Sequence, residues 1–68
     1  MSANELRQRR EALGLSVGQL AHEFRVEAST VWRWENGNGP PRGLSSVGAD
    51  TILKRLENEK KRAERGER

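Results

Sequence analysis

The chain has 68 residues, of which 32% are hydrophobic and none is cysteine, and its formal net charge is +3. This length allows one small domain, and without cysteine there are no disulfides, zinc–thiolate sites or cysteine nucleophiles. No apolar run is long enough to span a membrane and the first residues do not form a signal peptide, so we expect a cytoplasmic protein. The chain is also too short to enclose a substrate pocket of the usual size, and we expect neither enzymatic activity nor a metal or other cofactor.

The positive charge lies at one end of the sequence. Basic and acidic side chains balance over residues 1–53, whereas residues 54–68 hold seven basic and four acidic groups. A basic balance favours a polyanionic partner, although only weakly in a chain of this size.

The first predicted helix begins at a capping box. Ser2 and Glu5 have the S-x-x-E spacing in which each residue bonds the backbone amide of the other. Apolar residues at helical spacing then predict a helix over Ala3–Leu13, and Gly14 supplies its end.

The second predicted helix begins at another box, formed by Ser16 and Gln19. An amphipathic stripe follows at Val17, Leu20, Ala21 and Phe24. The apolar phase breaks over residues 25–27, where Val26 is the apolar residue of a tight turn.

The third predicted helix covers Ala28–Glu35 and ends at Asn36-Gly37, where glycine tolerates the left-handed conformation of a helix end. Residues 38–43 form a loop by composition, because they contain glycine and proline.

A fourth helix is predicted after the loop, capped by Ser45 or Ser46. Its apolar face consists of Ala49, Ile52, Leu53 and Leu56. Since the stripe stops there, we divide the chain into a domain over residues 1–57 and a charged helical tail over residues 58–68 that frays. Such a tail is usually solvated; the alternative is a non-specific contact with phosphates.

Two short helices joined by a three-residue turn have helix-turn-helix geometry, in which the second helix enters the major groove of DNA. A spacing of about 100° per residue puts Val31 and Trp34 on the inner face of the third helix. The outer face, which we expect to meet DNA, holds Ala28, Ser29, Trp32, Arg33 and Asn36.

Residues 6–37 resemble the phage-repressor/Cro superfamily of helix-turn-helix domains, also called the xenobiotic-response-element type. The matching residues are Leu6, Arg10, Leu13-Gly14-Leu15-Ser16, Leu20-Ala21, Val26, Ser29-Thr30-Val31 and Glu35-Asn36-Gly37. The resemblance implies four or five helices and a dimeric transcriptional repressor or activator. The chain departs from the family at Val17, where the family often has glutamine, and at Glu27, where it commonly has serine or threonine. The region after the third helix is also shorter than in the family, so the family's dimer surface is not carried over.

The resemblance also implies individual contacts with DNA. Base contacts fall at Ala28, Ser29, Trp32 and Arg33. Phosphate contacts fall at Ser16, Val17, Asn36 and the loop through Arg42. Apart from the resemblance, we expect Arg10 to lend a donor to a phosphate as well. Arg10 and Glu35 match a partly buried ion pair that joins the first and third helices in this family.

Four of these positions have simpler interpretations. Arg33 can be a solvated or phosphate-paired arginine, and Trp32 can fold back over Leu15 or the 38–43 loop. Arg10 and Glu35 can be separate surface charges.

We therefore expect an all-α fold, a compact four-helix helix-turn-helix domain with a charged C-terminal helical extension. The expected function is that of a transcriptional regulator, preferably a repressor, whose homodimer binds an inverted-repeat operator in double-stranded DNA. No site for a small-molecule effector is evident. The alternative is an antitoxin-like or adaptor module that docks a protein through Trp32 and the apolar side of the fourth helix. RNA binding is less favoured, since no aromatic platform for stacking is visible.

Overall fold

A computed structural model describes the backbone of residues 1–40 and 44–66 and the side chains of residues 1–40 and 48–66. This part of the chain contains four helices and no strand, which confirms the expected all-α class. The helices are α1 (Ala3–Ala12), α2 (Val17–Phe24), α3 (Ala28–Glu35) and α4 (Leu44–Glu64). None of them combines the length and the apolar character that a membrane crossing needs.

Each helix contributes one fully buried aliphatic side chain to a single core. These side chains are Leu6, Leu20, Val31 and Leu53. Burial of a side chain of this kind contributes about 1.5–3 kcal/mol, so these four residues supply much of the apolar stabilisation. Trp34 packs on the same core with its ring centroid 6.0 Å from that of Phe24, and α3 is therefore attached by its inner face.

The end of α1 follows the glycine signal in the sequence. Gly14 has a φ of 72° and is in the left-handed region, as expected. Its amide donates to the Glu11 carbonyl and the Leu15 amide donates to the Arg10 carbonyl, which is the Schellman pattern. The helix itself ends at Ala12, one residue before the predicted boundary.

The end of α2 has the same pattern with arginine in place of glycine. Arg25 has a φ of 59° and donates its amide to the His22 carbonyl, while the Val26 amide donates to the Ala21 carbonyl. An L-residue in this conformation costs roughly 1–2 kcal/mol. The turn between α2 and α3 is therefore tight but strained at one residue.

The loop after α3 corrects one prediction. Gly37 does not adopt the left-handed conformation; the glycine that does is Gly39, with a φ of 85°. A Cβ at Gly37 would still lie only 2.8 Å from the Arg33 carbonyl oxygen. A Cβ at Gly39 would lie 2.8 Å from the Met1 carbonyl oxygen and 2.9 Å from the Ala3 nitrogen, so this loop passes directly over the start of α1.

The start of α4 corrects a second prediction, that of a serine cap. Because the helix begins at Leu44, Ser45 and Ser46 lie in its first turn and neither precedes it as a cap. Arg42, a predicted phosphate contact, lies outside the described residues. The helix continues to Glu64, and residues 58–66 are exposed.

Candidate nucleic-acid interface

The outer face of α3 is free of packing contacts with the core. The five side chains expected on this face are all exposed, and Trp32 is 57% exposed, the one large hydrophobic side chain so exposed among the described residues. Arg33 makes no ion pair or side-chain hydrogen bond with a described residue. The face thus presents one aromatic ring, one available guanidinium and two small residues, Ala28 and Ser29.

The N-terminus of α2 presents backbone donors that are not paired with any described residue. The Ser16 hydroxyl accepts from the Gln19 amide at 3.0 Å, and the Ser16 amide donates to Gln19 Oε1 at 2.8 Å. This complete capping box leaves the amides of Val17 and Gly18 without a described partner, as expected for the first turn of a helix. Such amides, at the positive end of the helix dipole, favour an anion.

Arg10 and Glu35 lie together in the interior. Arg10 Nε donates to Glu35 Oε2 at 2.7 Å and Nη2 donates to Oε1 at 2.9 Å, while Nη1 donates to the Leu15 carbonyl at 2.9 Å. The Glu35 side chain is only 2% exposed and that of Arg10 only 14%. The hydrogen bonds that Arg10 donates to Glu35 raise the pKa of Arg10 above its ordinary value, so the guanidinium stays charged.

This environment limits the second role predicted for Arg10. Its exposed fraction is small, and three of its N–H groups already donate within the domain. Arg10 therefore offers little surface to a phosphate.

Arg7 is the exposed cation that the sequence interpretation missed. Its side chain is 43% exposed, and its Nη2 donates to the Glu35 carbonyl at 3.3 Å and to Asn36 Oδ1 at 3.4 Å. The signal was available, because residues three apart share one face of a helix and Arg7 precedes Arg10 by three. Asn36, a predicted phosphate contact, thus lies beside a positive charge.

The remaining arginine of α1, Arg9, fixes α4. Arg9 donates to both oxygens of Glu57, at 2.8 and 2.9 Å, and to Asp50 at 2.8 Å. The hydrogen bond from Arg9 lowers the pKa of Glu57, and the bonds from Arg9 and Lys54 lower that of Asp50. This cluster was not predicted, and it sets the position of α4 relative to α1.

The exposed charge on and near α3 differs from the formal charge of the residues there, because one carboxylate is buried. Glu35 is buried between Arg7 and Arg10, so it adds no exposed negative charge. Glu27 is exposed at the N-cap of α3, and its carboxylate makes no capping hydrogen bond. The exposed charged side chains of α3 and its N-cap are therefore Arg33 and Glu27, and the partly exposed Arg7 lies beside the C-terminal end of α3.

The arrangement of α2 and α3 agrees with comparison to known families. No curated protein and no solved structure matches the chain significantly. The family model of a helix-turn-helix domain, however, matches residues 3–49, which include α1, α2, α3 and the first six residues of α4. The chain therefore belongs to the helix-turn-helix domain family, a family of DNA-binding modules.

Proposed function

We propose that the chain is a sequence-specific transcriptional regulator of the phage-repressor/Cro type, which inserts α3 into the major groove. The observation that carries this proposal is the exposed outer face of α3 in a helix-turn-helix domain. A helix in this position meets base edges with its outer residues while the preceding helix lies across the backbone. The expected partner is double-stranded DNA.

Base recognition is proposed for Ala28, Ser29, Trp32 and Arg33. Arg33 has an available guanidinium, which can donate two hydrogen bonds to O6 and N7 of guanine. The small side chains of Ala28 and Ser29 allow the start of α3 to approach the base edges closely. Trp32 has enough exposed ring to pack on a thymine methyl group.

Phosphate contacts are proposed for Ser16, Val17, Asn36 and Arg42. Val17 contributes its backbone amide, which the capping box leaves available. Asn36 donates one N–H of its side-chain amide to the Trp32 carbonyl, so the other N–H remains for a phosphate. Arg7 is added to this set in preference to Arg10, because it is the more exposed of the two.

Repression is proposed through a homodimer on an inverted repeat. Two copies of α3 in successive major grooves would lie about 34 Å apart, and a protein bound there blocks access to a promoter. Selection of bound sites from random DNA tests the dimer and the specificity together. An inverted repeat is expected; a single unrepeated half-site would contradict the dimer.

The role of Arg33 is tested by two substitutions at one position. Arg33→Ala is expected to weaken binding to the selected site by about 1–3 kcal/mol and to remove the preference at one base pair. Arg33→Lys keeps the charge but not the two-donor geometry, so it should lose the preference as well. The measurement is binding to a panel of single-base variants of the selected site. If Arg33→Ala weakens all sequences equally, Arg33 contacts a phosphate. If Arg33→Lys retains the preference, the base contact does not depend on the two-donor geometry of arginine.

A protein-interaction module is the second candidate, and the exposed ring of Trp32 is the observation in its favour. An aromatic side chain of this kind is also common at protein interfaces. A mobility-shift assay on DNA upstream of the protein's own gene separates the two candidates. Absence of binding there and in the random selection would favour the interaction module.

A further inference from the structure

We propose that the last turns of α4 contact the DNA backbone next to the phosphates bound at the N-terminus of α2. This inference rests on the DNA-binding function proposed above and extends it to a second phosphate-binding element. Three features of α4 support it: the distribution of its ion pairs, its attachment to α1 and its distance from Ser16.

The ion pairs leave the positive charge at the end of the helix. Four carboxylates of α4 pair with cations: Asp50 with Arg9 and Lys54, Glu57 with Arg9, Glu59 with Arg55, and Glu64 with Lys60. Lys61 and Arg62 are exposed and make no ion pair with a described residue. The surplus charge of the C-terminal segment is therefore available at these two positions.

A contact with α1 fixes this end of α4 in place. The Lys60 ammonium donates to the Ala12 carbonyl at the end of α1. Lys60 and Lys61 also line a shallow groove together with Ala12, Leu13 and the carboxylates of Glu57 and Glu64. The last turns of α4 thus lie against the turn that leads from α1 into α2.

This position is close to the proposed phosphate contacts of α2. Ser16 follows Leu13 by three residues, so their Cα atoms are at most about 11 Å apart. Each DNA strand carries one phosphate per roughly 3.4 Å of helix axis. Lys61, which lies beside Leu13, is therefore within reach of a phosphate about one to three nucleotides from the one bound at Ser16 and Val17, and Arg62 follows at the next position of the helix.

Contacts of this kind add affinity without sequence information. Long cationic side chains bind the uniform backbone, whereas base edges are contacted from α3. Loss of Lys61 and Arg62 should therefore weaken binding to the selected site and to unrelated DNA by similar factors.

Two matched double variants test the proposal in the full chain. Lys61→Gln/Arg62→Gln removes the two available cations, and Lys54→Gln/Arg55→Gln removes two cations from the same helix at a different place. Both lower the net charge of +3 by two. Lys54 pairs with Asp50, and Arg55 pairs with Glu23 and Glu59, so the second variant lowers the net charge equally at positions where carboxylates already neutralise the cations. Affinity is measured against salt concentration on the selected site and on unrelated DNA, and circular dichroism compares the fold of each variant with the wild type.

The Lys61→Gln/Arg62→Gln variant should make the slope of log K against log salt shallower by about 1.8, which corresponds to two phosphate contacts. Its affinity at low salt should fall by about tenfold on both DNAs, and the control should change the slope much less. An unchanged slope, or an equal change of slope in both variants, would overturn the proposal. If the wild-type protein still selects a DNA site in that case, the proposed regulator function is unaffected. A wild-type protein that selects no DNA site would overturn both.

Discussion

Arg9 and Arg10 are neighbours on α1, but each fixes a different helix in a different environment. Arg10 binds Glu35 of α3, whose carboxylate is almost fully buried. Arg9 binds Asp50 and Glu57 of α4, whose side chains are 41% and 33% exposed. Both arginines use two-donor geometry to a carboxylate, so the difference between them is access to water.

Exposure to water determines how much stability is lost when each ion pair is broken. A buried charge that loses its partner keeps its desolvation penalty without compensation. A partly exposed charge is rehydrated, and its ion pair contributes much less. The attachment of α3, the proposed recognition helix, should therefore be the stronger and the less tolerant of change.

The largest expected effect is that of Glu35→Ala. Removal of the carboxylate leaves the mostly buried Arg10 guanidinium unpaired, at a cost of about 3–5 kcal/mol. Thermal and urea unfolding measure this loss directly. Glu59→Ala is the control, because that carboxylate is exposed and lies 3.7 Å from Arg55. A similar loss in both variants would contradict the comparison.

A smaller effect is expected for Arg9→Met, which keeps the apolar stem and removes the charge. Two partly exposed carboxylates lose their partner, and the expected cost is about 1–2 kcal/mol. Hydrogen exchange locates the effect: amides in α4 should exchange faster, whereas those in α3 should change less. Equal acceleration in both helices would show that Arg9 does not act on α4 in particular.

The smallest effect is the acid dependence of stability. The hydrogen bond from Arg9 holds the pKa of Glu57 below its ordinary value of 4.5, and Arg9 and Lys54 hold that of Asp50 below 3.8. Since both values are lower in the folded than in the unfolded state, the stabilisation is complete above about pH 5 and is lost as the pH falls through the lowered values.

Urea unfolding of the wild type and of Arg9→Met, between neutral and acidic pH, measures the contribution of these two carboxylates to stability. The variant should lose less stability on acidification, because Glu57 and Asp50 lose the hydrogen bonds from Arg9, which are the largest cause of their lowered pKa values. Identical pH dependence in the two proteins would assign the acid sensitivity to other groups.

The sequence predicted α3 more fully than α4. The helical period predicted that Val31 and Trp34 face inward, and the family resemblance predicted the ion pair between Arg10 and Glu35. The partners of Arg9 lie 41 and 48 residues away, across a loop whose composition does not set the angle of α4. Contacts that depend on this angle could not be derived from local patterns.

The turns that follow α1 and α2 also show that local sequence patterns do not predict every backbone conformation. Gly14 marks the left-handed residue after α1, since glycine adopts this conformation without strain. Arg25 adopts it after α2 in the same hydrogen-bond pattern, but no property of arginine indicates it. Packing of the short α2–α3 pair imposes that conformation against the local preference.

The guanidinium of Arg10 has a consequence for the thermodynamics of association. One edge of this planar group bonds Glu35, which precedes Asn36, and Nη1 bonds the Leu15 carbonyl, which precedes Ser16. A single rigid plane therefore sets the distance between two chain segments proposed to lie on the DNA backbone. Because this distance is already fixed in the free protein, preorganisation lowers the conformational entropy that complex formation must remove. Lysine at this position would keep the charge but lose the fixed distance.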